Sequence, residues 1–271
     1  MDLIVTGLNA TGSQVKAVIK GGRKPGSRRG AHLELFSKTN VLLYQGRSEL
    51  MTVSEAELVK AHNGCRSDLE HSSAAAAVTE LVEVLSRDSD SEPRLFLLLD
   101  ASLDAIGSTA IDGLEMIVAA SLLKIVGQVG FLPNLESCSI CGRPRFRQQV
   151  GAEREGFFDG GVSDDDDSDG KSMMFSFEEG GVVCSRCSVF RDRSDDDEWV
   201  HDGIVASLGQ VDPAILDWLV LLIRSRFDEL EPHAVAVNRH IGRLLLIFAR
   251  DWMRAQVTAQ NRSVDFLLNM N

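Results

Sequence analysis

The spacing of apolar and polar positions changes along this chain. Over residues 1–53 the period is two. Gln14-Val-Lys-Ala-Val-Ile-Lys20 sets Val15, Ala17 and Ile19 on one face and Lys16, Val18 and Lys20 on the other, the alternation of a half-buried strand. Leu3 to Thr6, His32 to Phe36, Val41 to Tyr44 and Glu49 to Val53 read as further strands, separated by Gly, Asn and Ser turns. Five short strands in about fifty residues predict a small barrel or curled sheet, of which the OB fold is one kind.

From residue 54 the period lengthens to that of a helix. Ser54 with Glu57 has the spacing of a capping box. Asp68 to Leu85 carries an apolar stripe at Ala74, Ala77, Val78, Leu81, Val82 and Leu85. A polar break at 86–93 separates it from two more apolar helices, Phe96 to Ile106 and Ile111 to Val126. Near the C-terminus, Asp212-Pro213 reads as an N-cap followed by proline at the first helical position. The helix it opens holds Ile215, Leu216, Leu219, Leu222, Ile223 and Phe227, and a later one holds Ile241, Leu244, Leu245, Phe248 and Trp252. Such stripes are core. No apolar run reaches the roughly 18–20 residues of a membrane span. The first residues show no charged segment, apolar stretch or cleavage site of an export signal, so a cytoplasmic protein is expected.

Between the helical stretches stand four cysteines in two pairs, Cys138-Ser-Ile-Cys141 and Cys184-Ser-Arg-Cys187. A CxxC turn aims two thiolates at one point, and two such turns complete a tetrahedral Zn²⁺ site with no open position. The metal ligands expected are therefore Cys138, Cys141, Cys184 and Cys187, and the role of the zinc structural. A redox CxxC would need a thioredoxin-like βαβ context, which the pattern lacks, and disulfides do not suit a reducing compartment. The fifth cysteine, Cys65, reads as a small buried hydrophobe. The 42 residues between the pairs are long for a compact zinc knuckle. Within them, 152–172 has the look of an insertion. It contains Asp164-Asp-Asp-Asp-Ser-Asp169, an acidic run with no packing potential that reads as a solvated, disordered loop. It lacks the spacing and closing glutamate of a calcium loop. A second acidic run, Asp195 to Glu198, follows the second pair.

Charge changes the picture once more. The chain carries −12 overall, yet residues 1–47 carry +6 and the remainder −18. A basic patch on an acidic body suits a local anion-binding face. Its centre is Lys20-Gly-Gly-Arg-Lys-Pro-Gly-Ser-Arg-Arg-Gly30. This is not a phosphate-binding P-loop, because Ser27-Arg28 stands where Lys-Ser/Thr should follow the second glycine. Two readings stay open on charge: a solvated basic turn, or a rim on which Lys16, Lys20, Arg23, Lys24, Arg28 and Arg29 meet phosphates.

Taken in order, these segments resemble the RecO family of recombinational DNA-repair proteins. Asp2 to Leu8 followed by Val15-Lys-Ala-Val-Ile-Lys-Gly-Gly-Arg-Lys-Pro-Gly-Ser27 looks like that family's strand pair and its K-G-x-R-x-x-x-S turn. Glu49 to Glu57 resembles the strand leading out of its barrel. Leu122 to Leu135 before Cys138-x-x-Cys141-Gly142, and Phe175-Ser-Phe-Glu-Glu-Gly-Gly-Val-Val-Cys-Ser-Arg-Cys187, resemble its metal region, and Arg262 to Leu267 its terminal helix. The resemblance implies an α+β, multi-domain chain. An OB-like DNA-binding barrel spans 1–53. A helical domain spans 54–271 and carries a zinc-binding element at 134–192. The resemblance also implies a protein without catalytic residues that binds single- and double-stranded DNA and anneals complementary strands. With the partner RecR it helps load RecA onto strands covered by single-strand-binding protein, in the cytoplasm at the nucleoid. The DNA role would fall on Lys20, Arg23, Lys24 and the neighbouring cations. Three departures stand out. The family has a strand ahead of the position matched by Asp2, so an incomplete barrel or an earlier start is expected. The spacer between the cysteine pairs is longer, and the body is more acidic. Two other readings remain: a zinc-stabilised scaffold that binds only proteins, and a thiol enzyme using one CxxC.

Overall fold

The structure is a computed structural model and describes residues 1–24, 28–46, 50–87, 92–145, 173–188, 211–257 and 260–270. The chain divides into two compact units: Met1–Phe131 with Leu221–Asn271, and Leu132–Val220.

The first unit opens with a sheet of four described strands, β1 (Leu3–Leu8), β2 (Gln14–Ile19), β3 (Lys38–Gln45) and β4 (Met51–Lys60), in the order β1-β2-β4-β3. β1 and β2 form an antiparallel hairpin, β2 runs parallel to β4, and β4 pairs antiparallel with β3. The Asn9 side chain accepts hydrogen bonds from the Thr11 and Ser13 amides across the hairpin turn, where Gly12 adopts φ +84°. The alternation read in β2 is realised: Ala17 and Ile19 are buried and Lys16 is exposed. With Val53 they form a small core of the sheet's own, lined by Leu3, Val5, Leu33, Leu43 and Ala56.

Two sequence readings are corrected here. His32–Phe36 is not a strand. A short helix, α1 (Arg28–Ala31), leads into turns fastened by side chains. Thr39 Oγ1 donates to the His32 carbonyl at 2.6 Å, Ser37 Oγ to that of Glu34 at 2.7 Å, and His32 Nδ1 lies 2.8 Å from the Ala56 carbonyl. These bonds take the place of a strand ladder. Nor does Ser54 cap a helix. β4 runs on to Lys60, beyond the boundary expected at 53, and Ser54 Oγ donates to the Leu42 carbonyl of β3 at 2.9 Å. Ser54-Glu-Ala-Glu-Leu-Val-Lys60 fits period two as well as a cap, and pairing with β3 decides. Among the described residues β1 and β3 are the two sheet edges.

After a 3₁₀ turn at Asn63–Arg66 the chain is helical: α2 (Leu69–Leu85), α3 (Pro93–Ser108) and α4 (Ile111–Gln128). α2 begins where expected, with Asp68 accepting from the His71 amide at 2.8 Å. α4 is buried on every face from Leu114 to Leu123, as a helix apolar all round must be. The other helices of this unit, α7 (Phe227–Ala236), α8 (Arg239–Val257) and α9 (Arg262–Asn269), pack with it. α6 (Pro213–Arg224) ends before Phe227, which opens α7 instead of extending the same stripe. Lys124 Nζ fixes that break, donating to the carbonyls of Ile223 and Ser225 at 2.9 and 2.7 Å. Trp252 is buried and donates from Nε1 to the Phe131 carbonyl at 2.8 Å. Cys65 is buried in the 3₁₀ turn, as read. No described helix is long and apolar enough to cross a membrane.

Candidate metal centre and nucleic-acid face

The second unit is built around the cysteines. β5 (Met173–Ser176) and β6 (Gly181–Cys184) form a hairpin that delivers Cys184, and α5 (Ser185–Ser188) carries Cys187. The first pair rides on a loop laid along β6. The Asn134 amide donates to the Gly180 carbonyl at 2.9 Å, the Val182 amide to that of Asn134 at 2.8 Å, and the Ser139 amide to that of Val182 at 2.8 Å. Gly142, at φ +71°, closes the Cys138 turn by donating to the Cys138 carbonyl at 2.8 Å.

The result is a cluster in which the four sulfurs lie within 4.8 Å of one another, with Cys138 and Cys184 buried, Cys187 half-buried and Cys141 exposed. Cys141 and Cys184 Sγ are 3.8 Å apart. Arms of about 2.3 Å around a tetrahedral zinc set sulfurs about 3.8 Å apart, so the donor set fits a metal ion. Its electrostatics ask for one. Burial works to raise the Cys138 thiol, but the amides of Cys184, Cys141 and Ile140 outweigh it and hold it at about 6. Loss of solvent and hydrogen bonding to the other sulfurs push Cys187 up to about 12. The Cys138 thiolate is thus favoured at the expense of Cys187, and a cation is what permits that second thiol to ionise. The four positions read from sequence are brought together here, and these cysteines could hold a metal ion.

Two supports of this site carried no signal in the cysteine pattern. Arg145, its side chain 8% exposed, pairs with Asp217 at 2.7 Å and donates to the Pro213 carbonyl at 2.9 Å. Contacts across such a sequence separation leave no local mark. The second is Gly181. A Cβ there would sit 2.2 Å from the Asn134 carbonyl oxygen, a distance no backbone tolerates, so Gly181→Ala must push the Cys138 loop off β6. The diglycine at 180–181 was the available clue. We expect Gly181→Ala to lower both metal retention during dialysis against a chelator and the melting temperature. Unchanged values would show that the loop is held by other means.

The basic residues belong to the N-terminal sheet. Lys16 is exposed in the middle of β2, opposite Thr6, and Lys20 is exposed where that strand ends. Arg23 and Lys24 are exposed on the turn that follows, in which the Lys24 amide donates to the Gly21 carbonyl at 3.0 Å and the Gly21 amide to the Asp2 carboxylate at 2.8 Å. The structure thus brings these four cations onto one strand and its turn. Arg28 and Arg29 lie in α1, and their side chains fall outside the described residues, as do the acidic stretches 152–172 and 195–198. Lys38 and Lys60, also in the sheet, are by contrast paired with Asp100 and Asp104.

Two family models match this chain in succession. Residues 1–62 match the family model "Recombination protein O N terminal" and residues 66–196 match "Recombination protein O C terminal". Among curated relatives, the DNA repair protein RecO of Desulfitobacterium hafniense is 29% identical over 228 residues, covering 84% of this chain and 72% of that protein. That of Symbiobacterium thermophilum is 32% identical over 187 residues, 69% of this chain and 65% of its own length. That of Rubrobacter xylanophilus is 36% identical over 128 residues, 47% of this chain and 50% of its own length. The two matched segments meet where the sheet gives way to the helices, and between them they take in all four clustered cysteines: the chain belongs to the RecO family of DNA repair proteins.

Proposed function

We propose that this chain is a non-enzymatic recombination mediator that binds single- and double-stranded DNA through its N-terminal sheet and anneals complementary strands. In this reading it works with RecR to help load RecA onto strands covered by single-strand-binding protein, in the cytoplasm at the nucleoid. The observation that carries the proposal is the row of exposed cations, Lys16, Lys20, Arg23 and Lys24, on an otherwise acidic chain. None of the four is in an ion pair with a described residue. Phosphates can supply a counter-charge that no described residue gives these side chains, whatever the base sequence. At physiological salt the field of the acidic remainder falls off over about 8 Å, which confines binding to the basic face. Annealing needs no reacting group, because holding two strands with their mutual repulsion neutralised is sufficient. The four cysteines would hold a structural Zn²⁺, which leaves no ligand position open for chemistry.

The test is binding to a labelled single-stranded oligonucleotide across a salt series, with annealing followed in the same samples. Binding that weakens steeply with salt, together with faster annealing, is expected. No binding at low salt by metal-replete protein would refute the DNA role and favour a scaffold that binds only proteins.

A further inference from the structure

Between the N-terminal sheet and α3 lies a charged cluster that neither the metal centre nor the basic face uses. His62 stands in its middle, with its side chain 2% exposed. Its backbone is left-handed, φ 44°, and so is that of Phe36, φ 66°. One hydrogen bond joins these two unusual residues, from His62 Nδ1 to the Phe36 carbonyl at 2.8 Å. A carbonyl oxygen has no proton to give, so Nδ1 carries one. In a neutral imidazole the other nitrogen would then present a lone pair. Yet Nε2 faces Asp100 Oδ1 and Asp104 Oδ1, each at 3.3 Å. Nε2 and Asp100 Oδ1 are both sealed from solvent, with no other hydrogen-bond partner. Acceptor against acceptor in a sealed space is costly. A second proton on the ring removes the conflict.

We propose that His62, as an imidazolium shared between Asp100 and Asp104, is a pH-responsive clasp that fixes the N-terminal sheet to helix α3. The surrounding groups leave the role to this ring. From β3, Lys38 lies 2.7 Å from Asp100 Oδ2; from β4, Lys60 lies 2.6 Å from Asp104 Oδ2. Both pairs are partly solvated and therefore weak. From the 3₁₀ turn, Arg66 is engaged with the Leu35 carbonyl and Asn63, with Glu34 at 3.5 Å. Cys65, its thiol pushed up to about 11 by burial, donates to the Leu103 carbonyl and stays neutral. The sheet has its own small core, and its joints to the helices include this cluster, where Lys38 Nζ also lies 5.3 Å over the Phe96 ring of α3, and the Gln14 bond to the Glu83 carbonyl. A polar joint with a buried titrating member closes when the ring is doubly protonated. It loosens once the pH is high enough to remove the second proton from the ring.

The full-length, metal-loaded protein with ¹⁵N-labelled histidine tests this directly. Long-range ¹H–¹⁵N spectra are taken at about pH 5.5 and about pH 9, either side of the usual range. The His62 ring, one of six, is assigned with His62→Gln, or with Asp100→Asn should that variant not fold. At the lower pH both its nitrogens should be protonated, and at the higher one Nε2 should show a lone pair. Over the same interval the wild type should lose roughly 3 °C more of its melting temperature than His62→Gln, whose amide donor does not titrate. A lone pair on Nε2 already at the lower pH, or equal losses in the two proteins, would overturn the clasp. So would a shift of this ring on adding Zn²⁺ beyond one equivalent, which would make it a metal ligand instead.

Discussion

A Cys184→Ser variant is expected to lose its metal and, with it, the structure of the second unit. Cys184 ends β6, its sulfur lies 3.8 Å from that of Cys141, and its amide donates to Cys138 Sγ at 3.4 Å, so it belongs to both halves of the site. Serine keeps the amide but removes a thiolate ligand. The described part of this unit has a thin apolar interior, with Leu135, Phe175, Val182, Val183, Val211, Ile215, Leu216 and Leu219 as its buried aliphatic and aromatic residues. Structural zinc contributes about 10–16 kcal/mol of apparent binding energy in small zinc domains, more than such an interior can replace. Metal content should fall from one ion per chain to near zero. Trypsin should then cut rapidly after Arg143, Arg145 and Arg186, while α2, α4 and α8 persist. Cys65→Ser is the control, because that thiol lies in the other unit and its removal should leave the metal in place. Full metal occupancy and unchanged cleavage in Cys184→Ser would show that the cluster is not a metal centre.

How far the sequence reached depended on how local each signal was. The CxxC spacing, the Asp68 and Asp212 caps and the long apolar stripes of α2, α4 and α8 are written in neighbouring residues, and all are realised. The errors fell where two local codes overlap and a distant partner decides. Ser54 to Lys60 satisfies both a cap and a strand, and only β3 settles it. His32 to Phe36 alternates like a strand but is drawn into turns by bonds to Thr39 and Ala56. Phe227 continues the apolar stripe of α6 in sequence, yet Lys124, about a hundred residues earlier, caps the helix before it. The candidate site divides in the same way. Its four clustered cysteines were legible, and the diglycine at 180–181 marked the tight approach at Gly181, whereas Arg145–Asp217, and outside that site the buried ring of His62, arise from packing between distant segments that no local pattern encodes.

Changing Lys16, Lys20, Arg23 and Lys24 together to alanine is expected to abolish most DNA binding without disturbing the fold. All four side chains are exposed and none contributes to the small core of Ala17, Ile19 and Val53, so the melting temperature and metal content should stay near those of the wild type. Each phosphate that is no longer neutralised lowers the salt slope on single strands by about 0.7, so four such phosphates account for about 3 units of slope and, near 0.1 M salt, about 10²–10³ in affinity. The weakening should be the same for every oligonucleotide sequence, because binding to phosphates carries no base information. Annealing should slow in proportion, since it depends on holding two strands at once. Lys38→Ala with Lys60→Ala is the matched comparison. Those cations lie in the same sheet but are already paired with Asp100 and Asp104, and their removal should change the salt slope little. If the quadruple variant kept the wild-type slope, or if the paired lysines mattered as much, β2 and its turn would not be the nucleic-acid face. The phosphates would then have to be met by cations elsewhere, Arg28 and Arg29 first among them.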